Sequence, residues 1–94
     1  MAKITVVISV TNPPTCQPDN HEISKRRGDH IEWVCADPNW MVIMQNPSPF
    51  RDNVFNASKP NSGVPRLAPD EPMTFKYTAI AGGHSADPGV IITP

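Results

Sequence analysis

Three histidines and two cysteines are the side chains in this 94-residue chain best suited to chemistry. Cys16, His21, His30 and Cys35 form a loose Cys-x4-His…His-x4-Cys series, and zinc accepts two thiolates with two imidazoles. Structural zinc sites usually take their ligands from short knuckles, however, and these four lie on or beside extended runs. The same cysteines offer a disulfide, Cys16 to Cys35, which an oxidising compartment would favour and which depends on their Cα separation. His84 stands in AGGHSADPG with no metal-binding neighbour at a regular spacing. It reads first as a polar turn residue. A metal-handling protein would need it to act with His21 or His30.

Other chemistry finds less support. Ser85 follows His84 directly, and neighbouring side chains on extended backbone point apart. There is no GxSxG, no HExxH, no paired-carboxylate motif and no phosphate-cradling glycine loop, so no enzyme and no cofactor are expected. Lys25-Arg26-Arg27 is a short basic run at a turn, with Asp29 and Glu32 close by, and reads as a solvated tip. Asn56-Ala57-Ser58 matches the N-glycosylation tripeptide, a pattern that chance produces often.

The formal net charge of -1 gives no basic excess for nucleic acid or an anionic membrane, so neither is an expected partner. The chain's length suits one domain, 1–94. ITVVISV is short for a signal core and has no Ala-x-Ala site after it. The chain as written is therefore expected to be a cytoplasmic monomer, or periplasmic or secreted if an export signal was trimmed.

The elements that must position these residues are strands. Twelve prolines leave little room for helices. KITVVISVT alternates, with Ile4, Val6, Ile8 and Val10 on one face. Further strands are expected at 21–26, at HIEWVC, at WMVIMQ (central and covered on both faces), near 64–68, at MTFKYTAI and at VIIT. Turn chemistry separates them at RRGD, ADPN and AGGHSADPG, and the pattern loosens over 46–72. About seven short strands at this spacing describe an all-β sandwich. In HIEWVC, Glu32 and Val34 alternate with Ile31 and Trp33, which puts Trp33 in the core.

The string GDHIEW…VIMQNPSPF…FKYTAIAGGHSADPGVIITP resembles the cupredoxin family of Greek-key β-sandwiches, over most of the chain from residue 18 onward. The closing loop carries the most specific part: azurin-like members have Cys-x4-His-x3-Met there, and Gly83-His84-Ser85-Ala86 matches its centre. The resemblance places the thiolate ligand at Ala79, the axial methionine at Pro88 and the other histidine at Asn39-Trp40. Only His84 of that set could bind metal, and a blue-copper site needs two imidazoles and a thiolate. The resemblance thus implies the fold without the electron-transfer chemistry, and a non-copper binding or structural module for an unknown protein partner. At the family's docking end, Trp40 and Phe50 either fill the vacated site or join His84 in a partner-contact patch.

Overall fold

A computed structural model describes residues 2–45 and 47–94; the loosened stretch expected to begin at Asn46 starts on a residue outside that set. Alternation sets the strands. Lys3–Ile8 (β1) buries Val6 and Ile8 and exposes Thr5 and Val7. His30–Cys35 (β4) buries Ile31 and Trp33, as Glu32 and Val34 require. Met73–Ala81 (β7) buries Phe75, Tyr77, Ala79 and Ala81. The others are Cys16–Gln17 (β2), His21–Ser24 (β3), Met41–Met44 (β5), Val54–Asn56 (β6), His84–Ala86 (β8) and Gly89–Thr93 (β9). The described residues form nine strands and no helix, so the fold is all-β. No helix among them is long and apolar enough to cross a membrane.

Two sheets face each other. One has the order β2-β1-β4, with β1 parallel to β4. Its far edge is covered by residues 60–62: Trp33 N–H donates to Pro60 O (3.0 Å) and Ser62 N–H to Ile31 O (2.8 Å). The other runs β3-β9-β7-β5-β6, with β3 parallel to β9, and β8 pairs with the upper half of β7. Trp33 sits at the centre of the core between them. Its ring lies 4.8 Å from Phe55, 5.6 Å from Tyr77 and 6.4 Å from Phe50.

Three expectations are corrected. The segment 64–68 is not a strand: Val64 and Leu67 are both exposed while Pro65 is buried, so no alternation exists to pair. β1 ends at Ile8: Ser9 N–H still donates to Thr15 O (2.9 Å), but Thr15 N–H returns to Ser9 Oγ (2.8 Å) rather than the Ser9 carbonyl, and Val10 is exposed. The fourth expected strand starts after Trp40, and only Val42 and Met44 of its residues are fully covered. Three strands carry no periodic signal, since β2, β6 and β8 have only two or three residues each.

Candidate functional site

The closing loop is built on a tight turn. Gly82 and Gly83 have φ of 59° and 78°, the left-handed pair of a type I′ hairpin, and Ala81 faces His84 across it. Asp37 clamps this turn from the β4–β5 connection. Its Oδ2 accepts Gly82 N–H (2.8 Å) and its Oδ1 accepts Asn39 N–H (2.9 Å). Those two donors, Gly82 first, hold the carboxyl below the usual aspartate range. Val10 packs on the same glycine, close enough that a Cβ at Gly82 would stand 2.8 Å from its Cγ1. Three loops therefore meet at one end of the sandwich. Val10, Ala36, Pro38, Asn39, Gly82, Gly83, His84 and Ser85 are exposed there, with Asp37 half-buried among them and Asp87 exposed farther along the closing loop. The basic run occupies the other end, between β3 and β4, where Lys25 Nζ donates to Arg66 O (3.2 Å).

Beneath this end the core is apolar at the ligand positions that the family resemblance marks. Ala79 is 0% exposed and faces Ala86; Trp40 is 3% exposed; Pro88 is buried. Of the two options for Trp40 and Phe50, filling the core is what the structure shows and the partner patch is not: Trp40 is 3% exposed, and Phe50 at 1% exposure meets Trp33 and Phe55 edge to face inside the core. Of that trio His84 alone is exposed.

The histidines do not converge. His30 opens β4 beside Lys3, whereas the other end of β4 leads into the Asp37 loop that holds Gly82. Five residues of strand put about 16 Å between those ends. His21 pairs with Val90, six positions beyond His84 in the chain. Neither can share an ion with His84, because imidazoles on one metal lie within about 4 Å of each other. Among the described residues no three His, Cys, Asp or Glu side chains gather at a point, the Cys16–His21–His30–Cys35 series included.

The cysteines are free thiols, which corrects the disulfide. Ile8 is the register partner of both Cys16 on β2 and Cys35 on β4, so they flank it two strands apart. That spacing is about 9–10 Å between Cα atoms, beyond the reach of a disulfide. Cys16 has a different role. Trp33 Nε1–H donates to Tyr77 Oη (3.3 Å), and the buried Cys16 thiol lies near that hydroxyl. Burial pushes the Cys16 thiol up to about 11, the Tyr77 hydroxyl nearby lowering it in part and Asp19 and Cys35 adding smaller upward contributions. Tyr77 is also raised, by burial first and then by Cys16. Both groups stay neutral in the core, and the Tyr77 hydroxyl has Trp33 Nε1–H as its partner.

One further feature had no sequence signal. Between β2 and β8 lies a cleft of about 250 Å³, walled by Thr15, Cys16 and Gln17 on one side and by Ala86, Asp87 and Pro88 on the other. Two strands of two and three residues make its rims, and only the register reveals them. Comparison of the chain with known protein families, curated proteins and solved structures finds no match.

Proposed function

We propose that this chain is a cupredoxin-like Greek-key sandwich without a copper site, and that it works as a binding module. The observation that carries this reading is the buried Ala79 at the thiolate position, with Trp40 and Pro88 buried beside the same loop. Methyl and indole carbons there bring packing and no donor atom to a metal. The match at Gly83-His84-Ser85-Ala86 and the parallel pairing of β1 with β4 and of β3 with β9 support the architecture. What remains at that end is a contact surface: Val10, Pro38, the glycine pair and His84, exposed and held in shape by Asp37.

The competing metal-handling reading is tested by calorimetric titration with Cu(II) and with Zn(II), alongside visible absorption. The expected result is no stoichiometric binding and no thiolate band. A one-to-one complex that His84→Ala abolishes would replace the module with a metal carrier.

A further inference from the structure

A second hollow, of about 590 Å³, opens beside the far edge of β4. Ser62 on its lining sits next to Ile31, near the start of β4, whereas the closing loop is held from the other end of that strand. Arg51 and Asp52 line the hollow from the β5–β6 connection, and Lys59, Asn61, Ser62 and Gly63 line it from the chain that follows β6. Its size falls within the roughly 300–1,000 Å³ of small-molecule sites.

Both linings are fixed from behind. Ser48 Oγ accepts Phe50 N–H (3.1 Å) and donates to Asp52 O (2.8 Å), while Phe50 is anchored in the core. Arg66 N–H ties down Pro49 O (2.8 Å). On the other lining, Lys59 N–H donates to Asn56 O (3.0 Å) and Asn56 N–H to Lys59 O (3.2 Å), and residues 60–62 are bonded along β4. Asn61 Oδ1 accepts Gly63 N–H (2.8 Å). An ion pair between Asp52 and Lys59 joins the two linings.

The groups left over are mostly donors. Among the described residues the cationic side chains in hydrogen bonds or ion pairs are Lys3, Lys25, Arg27 and Lys59; Arg51 is in none. Asn61 commits its side-chain oxygen, which leaves both amide hydrogens spare. Ser62 Oγ is used up, accepting Ile31 N–H (2.8 Å) and donating to Gly63 O (2.7 Å). Two cations and one acid line the hollow. The neighbouring Glu32, which bridges to Asn61, is held by Lys3 (3.0 Å). A Cβ on Gly63 would meet nothing within 4 Å, so the space above that turn is open, and Val64, 42% exposed, adds an apolar rim.

We propose that this hollow binds a small organic carboxylate. The Arg51 guanidinium takes its two oxygens side by side, Asn61 Nδ2 and Lys59 Nζ donate to the same group, and Val64 meets its hydrocarbon part. The excess of one cation matches a single negative charge, whereas a phosphate dianion would face Asp52 with charge unbalanced. This site is separate from the contact surface at the closing loop, and neither requires the other.

The test is NMR of the whole chain, following backbone amides with the arginine Nε–H and asparagine Nδ2–H signals, at constant ionic strength. Sodium butyrate is the probe; butyramide, butylammonium chloride and inorganic phosphate are the comparisons. Butyrate should shift Arg51 Nε–H, Asn61 Nδ2–H and the Gly63 amide along one saturating curve, and butyramide and butylammonium should leave them in place. Arg51→Gln should weaken butyrate at least about tenfold, the loss of a charged hydrogen-bond pair. Arg51→Lys keeps the charge without the fork and should fall between; it carries the test alone if Arg51→Gln does not fold. Full-strength binding by Arg51→Lys would overturn the paired contact. Shifts that never saturate, or that are equal at Lys25, Arg26 and Arg51, would mean loose counterions and overturn the site. Tighter binding of phosphate than of butyrate would overturn the carboxylate. Shifts confined to residues 82–85 would overturn this site and leave the closing-loop module standing.

Discussion

Replacing Trp33 with alanine removes the centre of the core. The indole is 1% exposed and touches three rings, Phe50, Phe55 and Tyr77. Truncating a buried tryptophan costs about 3–5 kcal/mol through lost transfer energy and the cavity left behind. Aromatic pairs add about 0.5–1.5 kcal/mol each beyond area, without strict additivity. The change also strips Tyr77 Oη of its donor, Trp33 Nε1–H. A domain of this length has a stability of roughly 5–14 kcal/mol, so the upper end of the cost unfolds it. At about 4–8 °C per kcal/mol the midpoint should fall by roughly 12–40 °C. Trp40→Ala should also be costly, since Trp40 is only 3% exposed, but it forms none of the ring pairs found among the described residues. It is expected to lose about 1 kcal/mol less. Far-UV circular dichroism melts of the two variants measure this without relying on tryptophan emission. A Trp33→Ala midpoint within about 4 °C of the parent would refute the assignment of Trp33 as the core's centre.

The cysteines give a chemical readout. In native protein at pH 8 a thiol reagent should label Cys35, which is half-buried, and spare Cys16, whose thiol stays protonated; denaturation should expose both. Two equal native rates, or no free thiol at all, would contradict the structure. At the closing turn, Gly82→Ala should cost more than Gly83→Ala. Both have positive φ, worth about 1 kcal/mol, but only a Cβ at Gly82 meets Val10. Adding Val10→Ala should recover part of the Gly82→Ala loss in urea denaturation; no recovery would mean that Val10 does not pack there. Asp29 should shape the acid limb. Burial raises its carboxyl, but Ser24 N–H and the Arg27 guanidinium together outweigh burial and leave it below 3.8. A lowered folded value means stability that is whole above the ordinary 3.8 and lost as pH falls through the folded value. Asp29→Asn should therefore flatten the fall in stability below about pH 4; parallel curves for the two proteins would remove Asp29 from that role.

The part of the fold written in side-chain alternation was legible. Glu32 and Val34 cannot share a face with Ile31 and Trp33, so the facing of β4 followed from sequence. The facing of β7 followed in the same way, apart from Met73 at its frayed start, which is 46% exposed. Segments of two or three residues carry no period. β2, β6 and β8 exist because a longer neighbour pairs with them, and residues 60–62 join β4 on the same terms. The turn at Gly82-Gly83 was legible as a turn, but its I′ geometry and the short strand after it depend on φ and register. Burial of Trp40 and Phe50 was the first of two options open from sequence, because a domain of this length needs its large aromatics in the core.

The central proposal is that the closing loop holds no copper centre, because the buried Ala79 stands where the cupredoxin resemblance would place a thiolate. The most direct measurement is the visible spectrum of the reduced protein titrated with Cu(II) to one equivalent, with bound metal counted after desalting. The expected result is a colourless protein that keeps no copper. An intense thiolate-to-copper band with one copper retained would contradict the claim, and would mean that Cys16 or Cys35 leaves its strand to become a ligand.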